Sequence, residues 1–136
     1  MYPNFYAYPA FFYYDDDGIS IEFPDLPGCL PCASSSEEAF RNAKEALGLH
    51  LYGMEQDGDV IPSPTPVKDL CPDDGGVITM VDVFMPSVRD RINNRVVKKT
   101  LTIPAWLNRE AEAAHVNFSQ VLQDGLKTYL GEASRQ

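Results

Sequence analysis

Five acidic side chains crowd a short stretch of the N-terminal third: Asp15, Asp16, Asp17, Glu22 and Asp25. Carboxylates at this density are what a two-metal nuclease gathers around Mg²⁺. Three of the five, however, fall in an Asp-Asp-Asp-Gly turn, where Asp is common because its short side chain supports turn geometry. The turn accounts for them, and no catalytic residue is assigned. Cys29 and Cys32, spaced CxxC, invite zinc or redox chemistry. A structural zinc usually takes four ligands, and only Cys71, His50 and His115 are left to help. A redox pair belongs near a βαβ pattern at a helix start, whereas this pair precedes a strand. No metal or cofactor is expected, and the pair reads as ordinary buried thiols. Three cysteines make no disulfide framework. The remaining chemical cluster is "VVKKTLTIP", in which Lys98, Thr100 and Thr102 alternate with Val97, Lys99, Leu101 and Ile103 on a segment rich in donors for phosphate and base edges.

The elements that would carry these residues follow from pattern. "YPAFFYYDDDGISIEFPDLPG" reads as a β-hairpin, with aromatics from Phe11 to Tyr14, an Asp-Gly turn at Asp17 and Gly18, then alternating Ile19, Ile21 and Phe23. A short third strand follows around Leu30 to Ala33. Ser35 and Glu38 fit a capping box, and Phe40, Ala43, Leu47, Leu51 and Met54 recur at helical spacing, predicting a helix from about Ser36 to Gln56. Gly58 and the prolines at 62, 64 and 66 prescribe an extended connector. Val77 to Phe84 is a further strand, with Val77, Val81 and Val83 in its apolar set. This gives a β-β-β-α-β domain over residues 1–86.

Ser87 to Arg95 is polar and poor in apolar residues, so 87–95 reads as a linker. A second domain, 96–136, then comprises a strand from Val96 to Ile103, Pro104 at a first helical position, a helix with Leu107, Ala111 and Ala114 on one face, and a second helix. Asn117 is the expected N-cap of that helix, and Phe118, Val121, Leu122, Leu126, Tyr129 and Leu130 form its stripe. The fold class is α+β.

Charge divides in the same place. Up to Pro86, 3 Lys and Arg stand against 15 Asp and Glu, a balance of −12; from Ser87 on, 8 stand against 5, a balance of +3, which together return the net −9 of the chain. An acidic body and a basic tail suggest two different partners. No apolar run approaches the roughly 18 residues of a membrane span, and a cytoplasmic protein is expected.

About 35 residues of strand, helix and helix cannot bury enough apolar surface alone. The economical solution is a homodimer whose strands pair antiparallel above four helices. Val97, Leu101 and Ile103 then point into the shared core, and Lys98, Thr100 and Thr102 face outward, where a two-stranded ribbon fits the DNA major groove. The competing reading is a dimerisation module with a solvated face. Lys99, at an inward-parity position, departs from the pattern, though its stem can snorkel. Gly125 suggests close helix approach across the dimer, and Trp106 packs in the dimer core or at its edge.

"VVKKTLTIPAWLNREAEAAHVNFSQVLQDGLKTYL" resembles the ribbon-helix-helix family of Arc-type repressors. The resemblance implies base contacts from Lys98, Thr100 and Thr102, and a phosphate held around Asn117, Phe118 and Ser119, where free amides and the helix dipole favour an anion. "YPAFFYYDDDGISIEFPDLPGC", "SSSEEAFRNAKEALGLHLYGM" and "DGDVIPSP", in this order, resemble the HicB antitoxin family. That resemblance implies a reduced RNase H-like fold without activity, a HicA-type ribonuclease toxin as partner, and repression of the chain's own operon through operator DNA, as a homodimer or dimer of dimers. A body at −12 is suited to a basic RNA-binding partner, and Asp15, Asp16, Asp17, Glu22 and Asp25 are the candidate toxin contacts. The alternative is a ribbon-helix-helix regulator whose body senses a ligand or another protein.

Overall fold

The aromatic run and the acidic turn build the hairpin on which the rest is laid. In the computed structural model, which describes residues 1–131, β1 (Phe5–Asp15) turns through Asp16 and Asp17 into β2 (Gly18–Glu22), with Asp15 opposite Gly18. The turn lies one residue earlier than the Asp-Gly dipeptide implied. Gly18 sits at φ 143°, and a Cβ there would come 2.8 Å from the Ala33 carbonyl oxygen, so a side chain is excluded twice over. β3 (Cys32–Ala33) pairs with β2, and β4 (Gly76–Phe84) pairs with β1 from Phe5–Phe84 to Tyr13–Gly76. The sheet is wholly antiparallel in the order β3-β2-β1-β4.

β1 begins six residues before the expected aromatic run and includes Pro9, a residue usually kept to edges. Pairing with β2 ends at Phe11, so at Pro9 the strand is paired on the β4 side alone. A residue without N–H is suited to such a half-free position.

α1 (Ser36–Asp57) starts where the Ser35 hydroxyl accepts from the Glu38 N–H at 3.3 Å. The reciprocal arm of the capping box differs from expectation: Glu38 accepts from the N–H of Ser34, at 3.2 Å. Ala39, Ala43, Leu47 and Leu51, at four-residue steps, are fully buried against Tyr8, Phe12, Ile21, Phe23 and Val81. Phe40 is exposed at the margin of this face, its ring 6.3 Å from that of Phe12, and Val77 of the expected apolar set is exposed as well. Gly58 ends the helix in a left-handed conformation, its N–H on the Glu55 carbonyl. The proline-rich connector is strapped back to the body: the Tyr8 hydroxyl donates to the Pro62 carbonyl, and the Asp25 carboxylate accepts from the Thr65 N–H (3.0 Å) and hydroxyl.

The linker expected over 87–95 is largely a helix. α2 (Met85–Ile92) buries Met85 and rests Val88 on the core. Its Arg89 Nε and Nη2 meet Glu55 Oε1 and Oε2 at 3.1 and 2.8 Å, and the same Nη2 donates to the Pro3 carbonyl at 2.9 Å. The segment has the polar composition of a linker because the partner that satisfies its charge, Glu55, lies 34 positions earlier.

The chain divides into two compact units after Val96. In the second, α3 (Ala105–Ala113) and α4 (Phe118–Tyr129) are joined by a turn in which His115 takes φ 58°. Residues 96–103, expected as a strand, are without ladder pairing in the single chain. Pro104 is the N-cap of α3 and not its first helical residue. Gly125 has open space around it within the chain.

Candidate functional site

The carboxylates singled out in the sequence do not converge. Asp15, Asp16 and Asp17 occupy the exposed hairpin tip, Glu22 ends β2, and Asp25 is turned toward Thr65, which takes both its oxygens. Among the described residues no group of three or more His, Cys, Asp or Glu side chains is placed to hold a metal ion. Cys29 is buried and its thiol is pushed up to about 11 by burial, whereas Cys32 and Cys71 are exposed, so the reading of Cys32 as a buried thiol does not hold. His50 is half-buried on α1 beside Leu49 at a surface cleft.

The register brings a second acidic turn to the hairpin tip. The last β1–β4 pair, Tyr13 with Gly76, sets the turn at Asp73 and Asp74 beside Asp15 to Asp17, and the Asp73 N–H donates to the Tyr13 hydroxyl at 3.2 Å. All five carboxylates are exposed, and none is in an ion pair among the described residues. The Asp73–Asp74 contribution is not legible in the sequence: 56 to 59 positions part the two turns, and only strand pairing joins them.

Strand alternation assigns the two faces of the sheet. Tyr6, Tyr8, Ala10 and Phe12 share the α1 face with Val81 and Val83, and the other face carries Phe5, Ala7, Pro9, Phe11 and Tyr13 with Ile78, Met80, Asp82 and Phe84. Pro9 and Phe11 are buried. Phe5, Met80 and Phe84 are 64, 48 and 44 % exposed, and the rings of Phe5 and Phe84 pack 4.9 Å apart. The β1, β2 and β4 strands contain no Lys or Arg.

At the far end of α1 a buried polar cluster closes the body. Glu55, its side chain 2 % exposed, accepts from Arg89 and from the Tyr6 hydroxyl at 3.1 Å, and the Tyr2 hydroxyl donates to the Glu55 carbonyl. Burial first, and the bond to Glu55 second, push the Tyr6 hydroxyl up to about 12; the same carboxylate raises Arg89.

In the second unit Lys98, Thr100 and Thr102 are exposed. Asn117 caps α4, its side-chain oxygen accepting from the Gln120 N–H at 3.1 Å, with Phe118 and Ser119 exposed in the first turn. No residue of α3 or α4 is buried, and Trp106, Leu107, Val121, Leu122 and Leu126 are all exposed in the single chain. No helix among the described residues is long and apolar enough to cross a membrane.

Known proteins resemble this arrangement along most of its length. A 14.9 kDa protein encoded in the rep-hol intergenic region of Haemophilus phage HP1 is 30 % identical over 95 residues, 68 % of each chain. A chain of a toxin-antitoxin complex from Streptococcus pneumoniae is 26 % identical with a TM-score of 0.57, the likeness covering 92 % of this chain and 99 % of that one. A chain of the HicA3 and HicB3 toxin-antitoxin complex is 26 % identical at a TM-score of 0.50, covering 57 % of this chain and 98 % of its own length. The family model described as "HicB_like antitoxin of bacterial toxin-antitoxin system" matches residues 8–125, which spans both the sheet with its helices and the tail to within α4. The chain belongs to this HicB-like antitoxin family.

Proposed function

We propose that this antitoxin binds a HicA-type, RNA-cleaving toxin through its first unit and represses its own operon through its second. The first unit is read as a reduced RNase H-like fold, for which the β-β-β-α-β order is the support. No catalytic group of its own is required, because an acidic body seated on a basic RNA-binding surface denies substrate entry by bulk and charge. The charge division carries this reading: −12 up to Pro86 suits a ribonuclease, and +3 beyond it suits a polyanion.

The second unit is read as half of a ribbon-helix-helix dimer. Its two helices bury nothing within one chain, although α4 carries a continuous apolar stripe, so a second copy supplies the missing core. Residues 97–103 then pair across the dimer, placing Lys98, Thr100 and Thr102 toward base edges and the Asn117 to Ser119 amides toward a phosphate. A cytoplasmic location follows from both partners.

Co-expression with the product of the neighbouring small reading frame tests the toxin half. A stable complex that no longer cleaves RNA is the expected result; a neighbour that cleaves RNA equally well with this protein present would overturn it. A mobility shift on the chain's own promoter DNA tests the other half.

A further inference from the structure

We propose that the toxin docks along the β1–β4 strip on the sheet face turned away from α1, with its basic surface at the hairpin end and an apolar anchor at Phe5, Met80 and Phe84. This inference rests on the toxin reading above and assigns it a surface.

Two observations fall on one strip. At one end, the Tyr13–Gly76 pair joins two acidic turns, and five exposed carboxylates there lack ion-pair partners. Like charges held this close repel, and at physiological salt, with a screening length of about 8 Å, that repulsion is not fully damped. A cationic partner relieves it. At the other end, Phe5 and Phe84 are exposed with their rings in contact, and Met80, opposite Pro9 at the middle of β4, extends the apolar exposure of the same face. Exposed aromatic and Met side chains grouped together are the composition of an interface centre, and charged neighbours suit its rim.

The strip favours a basic partner over a second copy. β1, β2 and β4 contribute no cation to it, and the Lys44 of α1 that reaches Asp82, 3.1 Å away, is already paired. Two copies meeting on this face in antiparallel fashion would bring each acidic end near the apolar end of the other, leaving ten carboxylates without counter-charges. A protein that binds RNA carries cations where its substrate's phosphates go, and those cations match this end of the strip. The cleft at Asp57 and Asp59, near His50, lies on a different element and provides the control.

The test uses the full chain and the neighbouring ribonuclease, with affinity measured by calorimetric titration and association rate by stopped flow, each at two salt concentrations. Phe84→Ser and Met80→Ser should each weaken binding tenfold or more. Asp16→Asn with Asp74→Asn should slow association severalfold and flatten the salt dependence, while Asp57→Asn with Asp59→Asn should change neither. Hydrogen exchange on the wild-type pair needs no variant and should show protection of the β1–β4 strip on complex formation. Protection confined to the Asp57–Asp59 cleft, or wild-type affinity in the folded strip variants, would overturn the assignment. So would a fall in the oligomeric state of the free Phe84→Ser chain with toxin affinity intact, which would mark the face as a contact between copies. A wild-type chain that binds no ribonuclease at all would instead remove the toxin reading on which the inference rests.

Discussion

Arg89 grips Glu55 with two nitrogens, at 3.1 and 2.8 Å, across 34 positions of sequence, and the carboxylate it grips is 2 % exposed. The pair fastens α2 to the end of α1 and takes the N-terminal Pro3 carbonyl with it. Removing one partner strands the other in a poorly solvated site, which costs more than the attraction itself contributes. Arg89→Ala should therefore destabilise the body by about 3 kcal/mol, measured by urea unfolding; an effect below about 0.5 kcal/mol would show the pair to be no stronger than an exposed surface one.

Truncation separates the expected linker from the observed helix. A chain ending after Val96 keeps α2 and should unfold cooperatively by circular dichroism. One ending after Pro86 loses Arg89 and Val88, leaves Glu55 without its cation, and should be poorly folded under the same conditions. Equal stability of the two would mean that α2 is an ornament of the body.

Gly48 sits under α2. A Cβ there would come 2.9 Å from Val88 Cγ2 and 3.3 Å from Val83 Cγ2. Alanine gains about 1 kcal/mol of helix propensity over glycine, but overpacking typically costs about 1 to 3 kcal/mol. Gly48→Ala should thus lower the melting temperature, and adding Val88→Ala should restore part of the loss. A double-mutant cycle with no coupling would place the strain elsewhere.

Alkaline pH should loosen the body progressively. Tyr6 and Cys29 hold their protons to about 12 and about 11 in the folded chain, above their ordinary values near 10 and 9. The unfolded chain releases those protons first, so the stability they contribute is whole below pH 9 and declines as pH rises, through pH 11 for Cys29 and pH 12 for Tyr6. Thermal melts between pH 8 and pH 11 should show the decline, and Tyr6→Phe should make it shallower above pH 10.

Operator binding and toxin binding should separate by unit. Lys98→Ala and Thr100→Ala should each weaken binding to the promoter about tenfold, the scale of one lost base or phosphate contact, with toxin affinity unchanged in calorimetry. Lys98→Ala should also make the salt dependence of DNA binding shallower. Joint failure of both interactions would contradict the division of labour between the units.

Local pattern made much of this molecule readable. The hairpin, the Ser35-capped helix and the Asn117 cap rest on residues within a few positions of one another; both caps stand where the sequence implied, and the hairpin forms with its turn shifted by one residue and its first strand lengthened by six. What escaped reading depends on distant partners. α2 looks polar because its burial relies on Met85, Val88 and an ion pair to Glu55. Phe40 and Val77 match apolar periodicity yet lie at the margin of the core, a distinction that periodicity does not encode. The apolar end of the outer sheet face was invisible because Phe5 and Phe84 meet only through the β1–β4 register.

If the tail completes its core against a second copy, as proposed above, its order depends on dose, for no residue of α3 or α4 is buried within one chain. A segment that completes its core by meeting its like folds in proportion to the square of its concentration, whereas the body, with its own core, folds at any dilution. On that proposed reading the tail fails first as copies of the chain dwindle: dilute chains keep the toxin contact proposed for the body and lose the promoter contact proposed for the tail, so that scarcity itself reopens synthesis.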